Sequence, residues 1–202
     1  MEFTSYRRMI LRTEFYIFRH GETELNRQKR WQGSGMDYDL TENGIVQAQK
    51  LAAKLQGKGI EIIFSSPLRR AFHTAEIAAA VLGVPVAVEN DLRECFYGEA
   101  EGRLIADLQR EVPQIVNNWN RPQFWDLRFE GGESKGEALQ RVLAVLERLA
   151  KENADVIGIA IHGGTMASLL NYFGFEFETV PNCGAFHLIY ENGKGTVNGG
   201  IF

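Results

Sequence analysis

Cysteine is scarce in this chain of 202 residues. Cys95 and Cys183 stand far apart and outside any CxxC or zinc-type spacing, which excludes a disulfide framework and a zinc knuckle and fits a reducing cytoplasm. Basic charge is short as well. Lys and Arg number 22 against 26 Asp and Glu, a formal net charge of −4 that argues against a nucleic-acid-binding surface, which needs clustered cations to replace phosphate counterions. No stretch approaches the roughly 18 consecutive apolar residues of a membrane span. Residues 1–13 carry Arg7, Arg8 and Arg12 without the apolar centre of a secretory signal, so they are expected to form a short N-terminal extension to a single domain over 14–202. There are four histidines and no HExxH or similar ligand spacing, so neither a metal nor a cofactor is expected.

What is present is an alternation of short apolar runs and helical patterns. Phe15 to Phe18 is a buried-strand pattern that stops at Arg19-His20-Gly21. Ile45, Ala48, Leu51, Ala52 and Leu55 recur at helical spacing, with Thr41 as N-cap and Gly57 and Gly59 as stops. Ile60 to Phe64 predicts a second strand, and Ser65-Ser66-Pro67 then opens a helix, with Pro67 in its first turn and Gly83 at its end. Val84 to Val88 predicts a third strand, and Leu104 to Trp119 short helices interrupted near Pro113. Ser134 and Glu137 form a capping-box pattern ahead of the stripe Leu139, Val142, Leu143, Leu146 and Leu149. Val156 to Ile161 is the most apolar strand and runs into His162-Gly163-Gly164 before a helix over Thr165 to Tyr172. A terminal hairpin is expected around Asn192-Gly193. This order implies an α/β fold, a three-layer α/β/α sandwich whose mainly parallel sheet is covered on both faces and gathers ligands at the carboxyl ends of its strands.

In such a sheet Arg19, His20, Arg70 and His162 share one edge. Two guanidiniums can hold a phosphoryl dianion by multidentate hydrogen bonds, and an imidazole with one deprotonated nitrogen can attack phosphorus. A carboxylic acid is needed to protonate a leaving alkoxide, and the loop residue Glu94 is the candidate.

Arg19-His20-Gly21-Glu22-Thr23 with Asn26 resembles the RHGE signature of the histidine phosphatase superfamily, which includes phosphoglycerate mutases. The resemblance continues, in the family's order, through Trp31-Gln32-Gly33, Leu40-Thr41 with Gly44, Ser65-Ser66-Pro67-Leu68 with Arg70-Ala71, and Leu92 with Glu94. It ends with Gly131-Gly132-Glu133-Ser134, His162-Gly163-Gly164 and Asn182-Cys183. It implies a phosphoglycerate mutase-like fold, His20 as phosphorylated nucleophile, Glu94 as proton donor, and Arg19, Arg70 and His162 as the phosphate pocket. His162 would be an imidazolium. By the same resemblance Asn26, Gln32, Gly33 and Gly163 contact the phosphate or shape its pocket, and the substrate is a small phosphate monoester.

Mutase members of the family carry Arg-His-Tyr after the acidic residue, where this chain has Cys95-Phe96-Tyr97. Losing the basic pair favours hydrolysis over mutation, and Phe96, Tyr97 and the segment from Trp119 to Trp125 are candidates to line a less polar pocket or to pack a core. The other alternative is a silent phosphate-binding protein. Asp39, where relatives often have proline, alters a loop and not the chemistry. Arg69, His73 and His187 are expected to be structural or surface residues. The pattern leaves the alcohol and the oligomeric state undetermined.

Overall fold

The computed structural model describes residues 12–151 and 154–202. Its centre is a six-stranded sheet of β1 (Arg12–Arg19), β2 (Ile62–Ser65), β3 (Val86–Val88), β4 (Val156–Ile161), β5 (Ala185–Glu191) and β6 (Lys194–Asn198), in the order β3-β2-β4-β1-β5-β6. The pairs β1·β4, β2·β4 and β2·β3 are parallel, whereas β5 and β6 add to the β1 edge as an antiparallel hairpin. Its turn is Asn192-Gly193, both at positive φ as a two-residue hairpin turn requires. Seven helices occur among the described residues: α1 (Glu24–Arg27), α2 (Glu42–Leu55), α3 (Arg69–Leu82), α4 (Ile105–Glu111), α5 (Pro113–Val116), α6 (Lys135–Leu149) and α7 (Gly163–Tyr172).

Alternation along the strands sorts the core into two layers. Phe15, Ile17, Ile157, Ile159, Ile161, Phe186 and Leu188 point to the side covered by α6 and α7, where Val142, Leu146, Met166 and Leu169 meet them. Tyr16, Phe18, Ile63 and Ala160 point the other way, onto Ala48, Leu51 and Leu55 of α2 and Ala75 and Ala78 of α3. The three-layer α/β/α architecture follows from that two-sided burial. A third cluster of Cys95, Tyr97, Leu108, Trp119, Phe129 and Ala138 forms a cap apart from both layers.

The strands that matter most for function lie side by side. Arg19 is in register with Ile161, and Phe18 with Ala160, which is itself paired with Ser65, so β1, β4 and β2 end at one level. Pairing continues one residue further, with His20 N–H donating to Ile161 O and Ser66 N–H to Ala160 O, both at 3.0 Å. Beyond Ser66 the ladder stops, because Pro67 has no N–H to offer.

Several boundaries differ from the sequence reading. Arg12 and Thr13, assigned there to the extension, are the first residues of β1, because β5 is long enough to pair them with Glu191 and Tyr190; positions 1–11 lie outside the described residues. Pro67 is not in the first turn of α3 but before its N-cap, Leu68. The third strand is shorter than Val84 to Val88, and α7 begins at Gly163 instead of Thr165.

Thr41 caps α2 as expected, accepting from Gly44 N–H at 3.0 Å, and its hydroxyl also donates to Glu22 Oε1 at 2.8 Å, tying the helix to the loop after β1. Thr41→Ala removes both bonds and is expected to lower stability by about 1–2 kcal/mol in urea denaturation, with an unchanged m-value.

Candidate active site

A cavity of about 200 Å³ opens at the carboxyl ends of β1 and β4, and Arg19, His20, Asn26, Gln32, Glu94 and Gly163 line it. Arg70 and His162 are not on its surface. Both are fully buried behind it, and the His162 ring centroid is 5.2 Å from that of His20. Gly33 is not a lining residue either: its carbonyl accepts from Arg70 Nη2 at 3.2 Å, and a Cβ there would meet Glu101 Oε1 at 2.1 Å and Cys95 O at 2.7 Å. It acts one step back, as a support for Arg70.

The two guanidiniums are held from one side. Arg19 Nη1 donates to Val180 O at 2.6 Å, and Arg70 Nη1 to Met36 O at 2.8 Å. Their Nε–H groups, together with Gln32 Nε2 and His162 Nδ1, are buried without a protein partner among the described residues. Leaving a buried donor unpaired costs about 1–3 kcal/mol, so the two Nε–H groups and the Gln32 amide together are a preformed demand for an acceptor. Gln32 is oriented by Thr23, whose hydroxyl donates to Oε1 at 2.7 Å. Asn26 is oriented likewise, its Oδ1 accepting from Thr23 N–H at 3.2 Å and Asn182 Nδ2 at 3.1 Å. Burial lowers Arg70 to about 10, and lowers Arg19, yet both remain cations near neutral pH.

His20 is 3% exposed, and its Nδ1 lies 2.7 Å from Gly21 O. A carbonyl can only accept, so Nδ1 carries the proton and Nε2 presents its lone pair. Burial first, then Arg70 and Arg19, holds the imidazole well below its usual range, which keeps it neutral. Gly21 allows this turn to lie against α2, since a Cβ would meet Gly44 O at 2.5 Å.

Glu94 is buried at the start of α7. Its carboxylate accepts from Gly164 N–H at 2.8 Å and from Thr165 and Cys95 N–H at 3.0 Å. Burial nevertheless raises its pKa above the ordinary value, against those three amides and Arg70. Gly164 is the residue that makes room, because a Cβ there would stand 2.1 Å from the Tyr97 hydroxyl and 3.0 Å from Glu94 Oε1.

One expectation is corrected. The imidazolium expected at His162 is opposed by its surroundings: burial first, then Arg70, His20, Arg141 and Arg19, holds its pKa well below the usual range, which favours the neutral imidazole. The sequence pattern brought two cations near it without showing that they would compete with a third.

Of the aromatic candidates for a less polar pocket, two reach the cavity and two do not. Tyr97 and Trp119 line the cavity with Arg30, Trp31, Ile105 and Asn120, whereas Phe96 is exposed and Trp125 packs against the core beside Lys135. Arg141 of α6 braces the Glu94 loop from behind. It donates to the carbonyls of Asp91, Arg93 and Glu94 and pairs through Nε with Glu133 at 2.8 Å. Helical periodicity marks where Arg141 sits but not which loop it reaches. Among the described residues no group of three or more His, Cys, Asp or Glu side chains is placed to share a metal ion.

The model of the histidine phosphatase superfamily (branch 1) matches residues 15–199. The chain belongs to that superfamily. It is 33% identical over 137 residues to phosphoserine phosphatase 1 of Hydrogenobacter thermophilus, a match covering 68% of this chain and 64% of the relative. It is also 33% identical over 160 residues to phosphoglycerate mutase-like protein 4 of Arabidopsis thaliana, covering 77% and 69%. Its fold superposes on mycobacterial glucosyl-3-phosphoglycerate phosphatase in complex with VO3 with a TM-score of 0.81 at 24% identity, covering 92% of this chain and 97% of that one. Phosphatases and mutases thus both occur among the proteins it resembles.

Removing Arg141 strands three loop carbonyls and the Glu133 carboxylate. Arg141→Met is expected to lower stability by about 3–5 kcal/mol, read as a drop in urea midpoint.

Proposed function

We propose that the protein is a phosphomonoester hydrolase working through a phosphohistidine on His20, with Glu94 as proton donor and without a metal. The observation that carries this reading is the His20 tautomer: Nδ1–H is committed to Gly21 O at 2.7 Å, which leaves Nε2 as a neutral nucleophile in a cavity walled by cations. In the first step Nε2 bonds to phosphorus as the P–O bond to the alcohol breaks, and the Glu94 proton passes to the departing oxygen. In the second, the Glu94 carboxylate takes a proton from water whose oxygen attacks phosphorus, and the P–N bond breaks to release phosphate.

Arg19, Arg70, Gln32 and Asn26, with the N-terminus of α7 at Gly163, supply donors for charge spreading over the phosphoryl oxygens, the task a metal performs elsewhere. Hydrolysis is favoured over mutation because the stretch after Glu94 brings no cation to the cavity. Cys95 and Tyr97 are buried and uncharged, and Phe96 points to solvent. The alcohol side, lined by Trp31, Tyr97, Ile105 and Trp119, suits a compact substrate, since the cavity is below the roughly 300–1,000 Å³ of drug-sized sites. Residues 12–202 act as one domain in this reading, and the two buried free thiols agree with a cytoplasmic setting.

His20→Ala is expected to abolish acid-labile phosphoenzyme and to cut turnover of p-nitrophenyl phosphate by roughly 10³-fold or more, with wild-type activity insensitive to chelator. Full activity in His20→Ala, or dependence on added metal, overturns the reading. A panel of phosphoserine, phosphoglycerates, sugar phosphates and ribazole phosphate then ranks substrates, and conversion of 3- to 2-phosphoglycerate with bisphosphoglycerate present exposes a mutase.

The pH profile follows from the two shifted groups. The reaction needs His20 neutral and Glu94 protonated, so kcat/KM rises as pH passes the depressed His20 pKa and falls as pH passes the raised Glu94 pKa. Glu94→Gln should lose the alkaline fall and cost roughly 10²–10⁴-fold on alkyl phosphates. The penalty should be smaller on p-nitrophenyl phosphate, whose leaving group needs little protonation. Wild-type limbs in Glu94→Gln would remove Glu94 from its role.

A further inference from the structure

The proposed chemistry leaves Ser66, at the end of β2, without a part, yet it makes the closest polar contact of His162. Its Oγ lies 2.7 Å from His162 Nε2, and both residues are fully buried. The same Oγ accepts from Leu68 N–H at 3.3 Å. His162 Nδ1 has no protein partner among the described residues.

These contacts admit two arrangements of a neutral imidazole. If Nε2 carries the proton it donates to Ser66 Oγ, which then receives two donors while its own hydrogen finds no acceptor, and Nδ1 offers a lone pair to the phosphoryl oxygens. If Nδ1 carries the proton, Leu68 N–H donates to Oγ, the Ser66 hydroxyl donates to Nε2, and Nδ1–H is free to donate to a phosphoryl oxygen. With a phosphoryl oxygen at Nδ1, only the second satisfies every buried hydrogen and avoids lone-pair repulsion at the substrate.

We infer that Ser66 is a positioning residue for the phosphoryl-transfer reaction, its hydroxyl fixing His162 as the Nδ1–H tautomer that donates to the transferred phosphoryl group. The tautomer rests on the phosphate-binding part of the hydrolase reading, and its catalytic consequence on the hydrolysis. The placement has a cause in the fold: the β2·β4 pairing puts Ser66 beside Ala160, two residues before His162, and Pro67 ends the strand there, turning the chain so that Leu68 N–H reaches back to Oγ.

The test is ¹⁵N-histidine NMR of the wild-type protein at neutral pH, together with steady-state kinetics of Ser66→Ala. His162 is expected to show a protonated Nδ1 and an unprotonated, hydrogen-bonded Nε2. Ser66→Ala is expected to give a tautomer mixture and a kcat for p-nitrophenyl phosphate lower by roughly 10- to 10²-fold, with a smaller change in KM. An Nε2–H tautomer in the wild type overturns the inference whether or not the variant folds, as does a Ser66→Ala enzyme with wild-type kcat. A wild-type protein with the Nδ1–H tautomer and no phosphatase activity sinks the hydrolase reading and leaves the tautomer assignment standing.

Discussion

Everything at the strand ends depends on keeping two guanidiniums charged while they are buried. Arg19 and Arg70 sit where water does not reach Arg70 at all, and the only carboxylate in the cavity wall is Glu94. Among the described residues neither arginine has a salt-bridge partner, so three main-chain carbonyls, from Val180, Met36 and Gly33, take the place of counter-ions. Those carbonyls belong to loops that must then hold their shape, which is why Gly33 abuts Glu101 and the α7 start abuts Glu94 so closely that neither Gly33 nor Gly164 has room for a side chain. Burial first, and then the same pair of cations, lowers the pKa of both imidazoles. A neutral His20 is a nucleophile; a neutral His162 is a donor only if its proton is on the correct nitrogen.

The second constraint is mechanical. Glu94 lies on a loop between the short 3-10 turns at Asn90–Leu92 and Gly98–Ala100, which would not by themselves hold a buried carboxyl in place. Arg141 ties this loop to α6, and α7 supplies two of the three amides on the carboxylate. The proposed proton donor is therefore referenced to helices on one face of the sheet, and the proposed nucleophile to β1 itself. Edge-to-face contacts among Trp31, Tyr97, Trp119 and Phe129 stiffen the cap between them.

The parts of this arrangement readable in sequence are those set by strand endings. Arg19-His20 and His162-Gly163 each follow an apolar run, and Arg70 follows another, so a parallel sheet brings them together without knowledge of side-chain reach. Thr41 and Ser134 as caps, and the Asn192-Gly193 turn, are local and equally readable. What escapes is whatever depends on reach across the molecule. Gly33 shares a motif with Gln32 but serves Arg70 rather than the cavity, and Arg141 looks like any polar helix position until its loop is folded beneath it. The single turn of α1 escapes because four residues carry too little periodicity, although Thr23 and Asn26 form its capping box. The lowered pKa of His162 escapes because it depends first on full burial and then on Arg70, far away in the chain.

The unpaired buried groups around the proposed phosphoryl position link the chemistry to folding. A dianion held as proposed by Arg19, Arg70, Gln32 and His162 would bind the folded chain and not the unfolded one, since no unfolded segment assembles residues so far apart in sequence. Orthophosphate, the product of the proposed hydrolysis, is such a dianion. On that reading the chain gains stability with the logarithm of free phosphate concentration once that exceeds the dissociation constant. The same constant sets how strongly product slows the next turnover, so a melting curve taken against phosphate and an inhibition curve measure one equilibrium.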